Sequence, residues 1–241
     1  MPEQHPTGRR PVAERGPQGR DEAPDLTDRL VLVAGATSTS GHAATRALTE
    51  AGARVVAVGR DAAKLEALAA LGAVTEVCDL TDEGDVARLA GRVRAAHGPV
   101  DGVLHLVGGW RGGGGLAGQS DADYRFLERA LTALRHVSRA FDEDLRASGA
   151  ARTAIVSSTA VTRPLAGGAN YAAIKAASEA WMRAVAQGFA KAARDSEEPL
   201  RAASVVFRVK ALSGLEDALA AAYVDLWSAD AATLNDTTIP L

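Results

Sequence analysis

The sequence is poor in the features that mark secreted or membrane-bound proteins. Its single cysteine, Cys78, excludes an internal disulfide, and it lies in an apolar run where a small buried side chain is the ordinary interpretation. No apolar stretch reaches the roughly 20 residues needed to cross a bilayer. The N-terminus also lacks the hydrophobic core of a signal peptide. We therefore expect a cytoplasmic protein with no membrane partner.

Charge of one sign and aromatic side chains are equally scarce. The formal net charge is -3, positive and negative residues are interspersed, and aromatic residues make up 4% of the chain. A nucleic-acid partner is not expected, because neither a basic stripe nor an aromatic platform is present. No part of the sequence predicts a metal site. The partner that remains is a small-molecule substrate.

The chain does contain enough apolar sequence for one sizeable domain. Its 241 residues, 47% of them hydrophobic, predict a single α/β domain with a full core. Residues 1–28 differ from the rest, because they are rich in proline, glycine, arginine and glutamate and are too polar to bury a face. We predict a disordered tail over residues 1–28, of unknown function, followed by one domain over residues 29–241.

A turn with two glycines joins the first predicted strand to the first predicted helix. Residues 29–34 form a continuous apolar run, the turn extends from Gly35 to Gly41, and the helix continues to Ala51. This order of strand, turn and helix is typical of a dinucleotide-binding unit, in which backbone amides at the helix N-terminus bind the pyrophosphate.

The second predicted strand, residues 54–58, is followed by residues that bear on the choice of dinucleotide. An acidic residue at this strand end binds the ribose of NAD, whereas an arginine can hold the 2′-phosphate of NADP. Arg60 therefore favours NADP(H), with Thr37 and Ser38 as further hydroxyl donors to the same phosphate. Asp61 keeps NAD(H) possible, although its position is more typical of a helix cap.

Three side chains with complementary chemistry follow in the second half of the chain. Ser158 ends an apolar, strand-like run, and Tyr171 and Lys175 open a long helical segment on which they share one face. A phenol with a pKa of about 10 is a poor acid or base at neutral pH, and a nearby ammonium lowers that pKa. A serine hydroxyl can polarise the same substrate oxygen that the tyrosine protonates. Together the three side chains predict carbonyl–alcohol chemistry.

This combination of residues resembles the short-chain dehydrogenase/reductase family, over about residues 29–241. The resemblance implies a doubly wound Rossmann fold in which a seven-stranded parallel sheet is flanked by helices. It also implies assembly as a homodimer or homotetramer through the two long central helices. Ser158 would orient the carbonyl, Tyr171 would be the general acid, and Lys175 would lower the pKa of Tyr171 and hold the nicotinamide ribose.

The residues and the resemblance together also predict the sites that bind cofactor and substrate. The cofactor-binding residues are expected to be Gly35, Thr37, Ser38, Thr39, Gly41, Arg60, Asp79, Leu80, Gly108, Tyr171 and Lys175. Trp110 and Arg111, in a loop after the fourth strand, are candidates for gripping an aromatic or anionic substrate. The four glycines at residues 112–115 predict that this loop is mobile.

Several positions depart from the family pattern. Thr39 replaces the middle glycine of the motif Thr-Gly-x-x-x-Gly-x-Gly, where a β-branched side chain could narrow the phosphate site. His105 replaces the first asparagine of Asn-Asn-Ala-Gly, and we expect it to hydrogen-bond a neighbouring strand. Ala130 aligns with an asparagine that commonly holds a water, which predicts slower turnover. Ser213 already starts the next helix, so the substrate lid of the family is essentially missing.

From these observations we predict NADPH-dependent reduction of a ketone, or the reverse reaction. The missing lid predicts an open site and a bulky, flat or carrier-tethered substrate, as in secondary metabolism. Arg208 and Lys210 could place positive charge at the rim of the site, but we expect both to be solvated surface residues. Two alternatives stay open because of Thr39, Ala130 and the missing lid. One is a non-redox dehydratase, cyclase or isomerase on the same scaffold, and the other is a dinucleotide-binding protein with little catalysis.

Overall fold

A single parallel sheet organises the chain. The structure, a computed structural model, describes residues 24–241. Its strands are β1 (Leu30–Ala34), β2 (Arg54–Gly59), β3 (Val74–Val77), β4 (Gly102–His105), β5 (Ala151–Ser158), β6 (Ala202–Val209) and β7 (Thr237–Pro240). They form one seven-stranded sheet in the order β3-β2-β1-β4-β5-β6-β7, and every neighbouring pair is parallel. The doubly wound fold predicted from the sequence is confirmed.

Helices cover both faces of the sheet. They are α1 (Thr39–Glu50), α2 (Ala62–Ala69), α3 (Glu83–His97), α4 (Asp121–Ala140), α5 (Asp142–Ala147), α6 (Ala169–Asp195), α7 (Glu216–Asp225) and α8 (Ala231–Leu234). Polar side chains cap the N-termini of several helices: Asp61, Asp82 and Ser120 each accept a hydrogen bond from a backbone amide three residues later. The capping role predicted for Asp61 is therefore confirmed.

The strands are buried on both sides because each strand contributes to two apolar layers. In β1, Val31 and Val33 pack with α1, α2 and α7, whereas Leu30 and Leu32 pack with α3, α4 and α6. This alternation follows from the two-residue period of a strand, and it explains why the strand sequences are apolar throughout. The carboxyl ends of β1, β4, β5 and β6 consequently meet at one edge of the sheet.

The packed structure begins before residue 29. Residues 1–23, most of the predicted tail, lie outside the described residues. Leu26, which was assigned to that tail, is only 1% exposed, and its amide donates a 2.8 Å hydrogen bond to the carbonyl oxygen of Ala51. An apolar side chain that covers the end of α1 extends the domain to at least residue 26.

The connection between β6 and α7 is short. Only residues 210–215 separate the two elements, so the polypeptide crosses directly from the sheet edge into the next helix. The substrate lid is therefore missing, as the sequence predicted. Among the helices of residues 24–241, none is long and apolar enough to span a membrane.

Candidate active site

Two glycines shape the turn between β1 and α1. Gly35 has a φ of +83°, in the left-handed region that favours glycine. A Cβ atom on Gly41 would lie 2.2 Å from the carbonyl oxygen of Ala36, so any side chain there would displace the backbone. Ser38 caps α1 by accepting a 3.1 Å hydrogen bond from the Gly41 amide. The turn therefore packs closely against the first residues of α1, as a phosphate-binding turn requires.

Thr39 begins α1 without backbone strain. Its side chain is exposed, and the positive φ angles of non-glycine residues in the described part of the chain belong to Glu197 and Asp236. The position occupied by glycine in the family motif is thus an ordinary helical position in this chain. No side-chain clash accompanies the replacement, because the threonine points to the surface.

A cavity of about 280 Å³, here called the side cavity, opens beside this turn and gathers most of the predicted cofactor residues. It lies at the carboxyl ends of the first four strands, the edge at which doubly wound sheets bind ligands. Thr39 is outside its lining, and Gly41 is buried beneath the turn. The predicted residues that line the side cavity are Gly35, Thr37, Ser38, Arg60, Asp79, Leu80 and Gly108.

Two arginines flank Asp79 in the side cavity, and the sequence analysis identified only Arg60. The Asp79 carboxylate accepts hydrogen bonds from the hydroxyl and the amide of Thr81, at 2.7 and 3.0 Å, which lower its pKa. The charges of Arg129 and Arg60 lower this pKa further, and Arg129 approaches the carboxylate to 3.9 Å. Arg129 lies on α4 in an ordinary polar stretch, so only the packing of that helix reveals it. An anion in this cavity would meet two guanidinium groups.

The structure brings Ser158, Tyr171 and Lys175 together in a second, larger space, the central cleft, of about 1220 Å³. Ser158 ends β5 and is 4% exposed, and its Oγ accepts a 3.1 Å hydrogen bond from the Ala160 amide. Tyr171 and Lys175 lie on the first turns of α6, four residues apart, and face the end of β5. A carbonyl oxygen in the cleft can therefore reach both hydroxyl groups.

The environment of Tyr171 differs from the prediction. Burial raises the pKa of the phenol, and the Ser158 hydroxyl opposes the rise only in part. Lys175 does not lower it, because the lysine Nζ lies 5.8 Å from the centre of the tyrosine ring and donates a 2.8 Å hydrogen bond to the Val156 carbonyl oxygen. The prediction that Lys175 lowers the pKa of Tyr171 is wrong for this structure. A phenol with a raised pKa is protonated at neutral pH, so the proton is present, but the group is a weaker acid than an ordinary tyrosine.

Lys175 is itself strongly influenced by its surroundings. Burial lowers the pKa of its ammonium to about 8, and the negative charge of Glu179 opposes this effect. Glu179 lies one helical turn further along α6 and is 4% exposed. The sequence did not predict a role for this carboxylate, because an acidic residue in a long helix is normally solvent-facing.

Arg208 explains how a carboxylate is tolerated there. Its guanidinium donates two hydrogen bonds to the Glu179 carboxylate, at 2.7 and 3.2 Å, and the Ser157 hydroxyl donates a third at 2.6 Å. The expectation that Arg208 is a solvated surface residue is therefore wrong. It arose because the pairing joins β6 to α6, and residues so distant in sequence meet only through the register of the sheet.

His105 ends β4 and is 5% exposed, yet neither ring nitrogen has a hydrogen-bond partner. The expectation that it bonds to a neighbouring strand is wrong, because its ring points to the cleft side of the sheet and not along it. The pKa of the imidazole is lowered to about 4, chiefly by burial and also by the Lys175 charge, while the Ala130 backbone opposes the fall. The ring is neutral at physiological pH.

The loop after β4 separates the two proposed substrate residues. Trp110 lines the central cleft and is 61% exposed. Arg111 is outside the cleft lining, because its guanidinium stacks on the Phe126 ring at 4.0 Å. The loop is also tied down by a 2.7 Å hydrogen bond from the Gly113 amide to the Gly167 carbonyl oxygen and by the Gln119 amide. These bonds oppose the mobility that its glycines predict.

The central cleft is positively charged although the chain as a whole is negative. Its charged lining residues are Arg163, Lys175 and Lys210, and no aspartate or glutamate of the described residues lines it. Arg163 and Lys210 make no ion pair within residues 24–241. In the same part of the chain, no group of three histidine, cysteine or acidic residues could hold a metal ion. The cleft therefore combines a proton donor with positive charge.

Comparison with known proteins agrees with this geometry. Residues 29–193 match the model of the short-chain dehydrogenase family, so the chain belongs to the short-chain dehydrogenase/reductase family of enzymes. No curated protein sequence matches it significantly.

Solved structures share the fold at low identity. An NADPH-bound short-chain oxidoreductase of Pseudomonas aeruginosa with an atypical catalytic centre has a TM-score of 0.78 at 21% identity. The alignment covers 90% of this chain and 96% of that one. A short-chain dehydrogenase of Shigella flexneri in complex with NADP has a TM-score of 0.79 at 20% identity, covering 91% and 99%. Levodione reductase has a TM-score of 0.77 at 19% identity, covering 90% and 96%.

Proposed function

We propose that this protein is an NADP(H)-dependent oxidoreductase that reduces a ketone to a secondary alcohol, or catalyses the reverse reaction. The observation that carries the proposal is the placement of Ser158, Tyr171 and Lys175 in one cleft that borders the side cavity with its two arginines. A hydroxyl pair for the substrate oxygen and an anion site for the cofactor are the two parts that such a reaction needs.

The residues of the side cavity fit a phosphorylated dinucleotide. The turn at Gly35 and Gly41 keeps side chains away from the N-terminus of α1, as a close approach to pyrophosphate requires. Arg60 and Arg129 would hold the 2′-phosphate, with Thr37 and Ser38 as hydroxyl donors, whereas Asp79 and Leu80 would border the adenine. NADP(H) is accordingly preferred and NAD(H) would bind more weakly. The NADP complexes of the Pseudomonas and Shigella proteins support this preference.

When bound, the nicotinamide supplies the hydride, and the chain supplies geometry and the proton. Ser158 would orient the carbonyl by donating to its oxygen. Tyr171, whose raised pKa keeps it protonated, would give its proton to the same oxygen as the alcohol forms. Lys175 would hold the nicotinamide ribose through hydrogen bonds from its ammonium group.

The substrate that fits this cleft is bulky or attached to a carrier. The missing lid leaves the cleft open, and Trp110 and Leu165 offer exposed apolar surface at 61% and 72%. Arg163 and Lys210 add positive charge that suits an anionic group on the substrate or the carrier. The proposed substrate is therefore a ketone of secondary metabolism with a flat apolar body and an anionic group or carrier.

Three further expectations complete the proposal. The protein would act as a homodimer or homotetramer, with α4 and α6 at the interface, since these two long helices pack side by side on one face of the sheet. It would act in the cytoplasm. The activity would belong to the single domain, which includes at least Leu26 in addition to residues 29–241.

A titration with NADPH and NADH, followed by nicotinamide fluorescence, tests the cofactor part. Arg60→Ala and Arg129→Ala should each weaken NADPH binding by about 10- to 100-fold, the cost of a hydrogen-bonded charge, and leave NADH almost unchanged. Arg54→Ala is the matched control, because Arg54 begins β2, whereas Arg60 follows the other end of the same strand. Equal loss of NADPH and NADH binding would contradict the assignment of the 2′-phosphate.

A screen of ketones with NADPH tests the reaction itself. Tyr171→Phe should abolish turnover, because it removes the proton donor, while NADPH binding stays within about threefold of wild type. NADPH binding without oxidation for any ketone or alcohol, together with conversion of a substrate at constant NADPH, would instead identify a non-redox enzyme on the same scaffold.

A further inference from the structure

The imidazole of His105 is the most unusual polar group of the described chain. Buried polar atoms in folded proteins are almost always hydrogen-bonded, and each exception requires a cause. Both ring nitrogens of His105 are buried without a partner in a residue that is 5% exposed. The Ala130 backbone favours the protonated ring, yet it forms no hydrogen bond of acceptable distance and angle with it.

His105 borders a small cavity that lies between α4, β5 and α6. The cavity has a volume of about 20 Å³, and about 10–15 Å³ is enough for one water molecule. Its polar lining is restricted to side chains of His105, Tyr171, Lys175 and Ser178. The rest of the lining consists of apolar side chains and of backbone at Gly108 and Gly109. A water molecule there has polar partners on two sides and apolar walls elsewhere.

We propose that this cavity is a water site, and that its water bridges the ring of His105 and the ammonium of Lys175. The bridge makes His105 a positioning residue for Lys175. The water site itself follows from the cavity and the unpaired ring nitrogens, whereas its effect on catalysis rests on the proposed function.

The donors and acceptors balance in this arrangement. The Lys175 ammonium has three donors, and one of them is bonded to the Val156 carbonyl oxygen. A neutral imidazole has one acceptor nitrogen and one donor nitrogen. The water would accept a hydrogen bond from Lys175 and donate one to the acceptor nitrogen of His105. The imidazole is neutral at neutral pH, since burial holds its pKa at about 4, and it therefore offers this acceptor nitrogen.

The water would also stabilise the charged form of Lys175. The titratable groups that face the cavity are His105 on β4 and Tyr171 and Lys175 on α6, and Glu179 acts on Lys175 from one turn away. The cavity residues from α4 and β5 are apolar: Leu127, Ala130, Leu134, Ile155 and Val156. The water would be a polar partner of Lys175 on this mostly apolar side, and its loss should lower the pKa of the ammonium.

The test compares His105→Leu, which removes both ring nitrogens, with His105→Asn, which keeps a polar group at the end of β4. Leu134→Met is the matched control, because it changes the wall of the same cavity at nearly constant volume. Crystal structures show whether a water lies within hydrogen-bond distance of the ring and of Lys175 Nζ. Carbon-13 labelling of the lysine ε-carbons gives the pKa of Lys175, since the chain has only four lysines and Lys175→Met identifies the signal.

The proposal expects an ordered water in the wild type and in Leu134→Met, retained in His105→Asn and lost in His105→Leu. It also expects the pKa of Lys175 to fall by about 1 in His105→Leu, which corresponds to one hydrogen bond to a charged group. A wild-type crystal structure with no bridging water would overturn it. A His105→Leu protein that unfolds at a higher temperature and has an unchanged lysine pKa would also overturn it. That result would mean that the imidazole is an unpaired buried group with no link to Lys175.

If His105→Leu does not fold, the wild-type water and the lysine pKa of His105→Asn decide the question. A His105→Asn protein that lacks the water yet keeps the wild-type lysine pKa would overturn the proposal. Neither measurement requires NADPH or turnover. Failure to reduce any ketone would therefore defeat the proposed function and leave the water site to be judged separately.

Discussion

Removal of the Glu179 charge is the perturbation that tests the electrostatics of the site most directly. Glu179→Gln keeps the shape of the side chain and an oxygen that can accept from the Ser157 hydroxyl. It removes the negative charge that opposes the fall in the pKa of Lys175. It also leaves the Arg208 guanidinium, whose side chain is 24% exposed, without its carboxylate partner.

The size of the effect follows from the geometry of α6. Residues four apart on a helix have Cβ atoms about 5–6 Å from each other, so the two charges interact by about 3 kcal/mol at an effective dielectric constant of about 20. This corresponds to about 2 in pKa. Arg208 neutralises part of the carboxylate, so a fall of about 1 to 2 from the wild-type value of about 8 is expected.

The assay is the pH dependence of NADPH oxidation with an accepted ketone. Burial lowers the pKa of Lys175 below its ordinary value, so the cation is present below about pH 8 and is lost as the pH rises through that value. The wild-type rate should therefore fall above about pH 8, and in Glu179→Gln the fall should begin about 1 to 2 pH units lower. Asp195→Asn removes a carboxylate from the end of the same helix and should leave the profile unchanged. An unaltered alkaline limb in Glu179→Gln would refute the reasoning.

Three further substitutions have definite expected outcomes. Arg152→Leu should lower the free energy of unfolding in urea by about 3–5 kcal/mol, because this buried guanidinium bonds to four backbone carbonyl oxygens, and a change under 1 kcal/mol would contradict that role. Gly41→Ala should weaken NADPH binding at least about tenfold in a titration, since its Cβ would lie 2.2 Å from a carbonyl oxygen, whereas Gly91→Ala, with open space around it, should not. Arg163→Gln should raise KM about tenfold for carboxylate-bearing ketones and not for neutral analogues, and equal changes for both would exclude an anion contact.

Local patterns in the sequence predicted the elements that depend on neighbouring residues. The apolar run before Gly35, the turn and the following helix are all contiguous, and Asp61 caps a helix that starts at the next residue. The absence of a lid was equally visible, because it is a matter of chain length between β6 and α7. Such features are encoded within a few residues and need no knowledge of packing.

The features that the sequence did not reveal all depend on contacts between distant residues. The pairing of Arg208 with Glu179 requires the register of β6 beside β5 and the packing of α6 over both. Arg129 on α4 reaches Asp79, which follows β3, although the two residues are 50 positions apart in the sequence. The pKa of Tyr171 was wrongly expected to fall, because four-residue spacing shows that two side chains share a face but not how deeply each is buried.

Residues outside any recognisable motif control the protonation of Lys175. Its pKa of about 8 leaves it largely cationic at neutral pH by a margin of about 1, which is about 1.4 kcal/mol. The Glu179 charge contributes at least this margin, so its loss would bring the amine close to half deprotonation at pH 7. The proposed water at His105 would add a similar amount to the margin. The buried Lys175 therefore depends on Glu179 on one side and on His105 on the other. Substitution of either residue should impair the site even when Ser158, Tyr171 and Lys175 are unchanged.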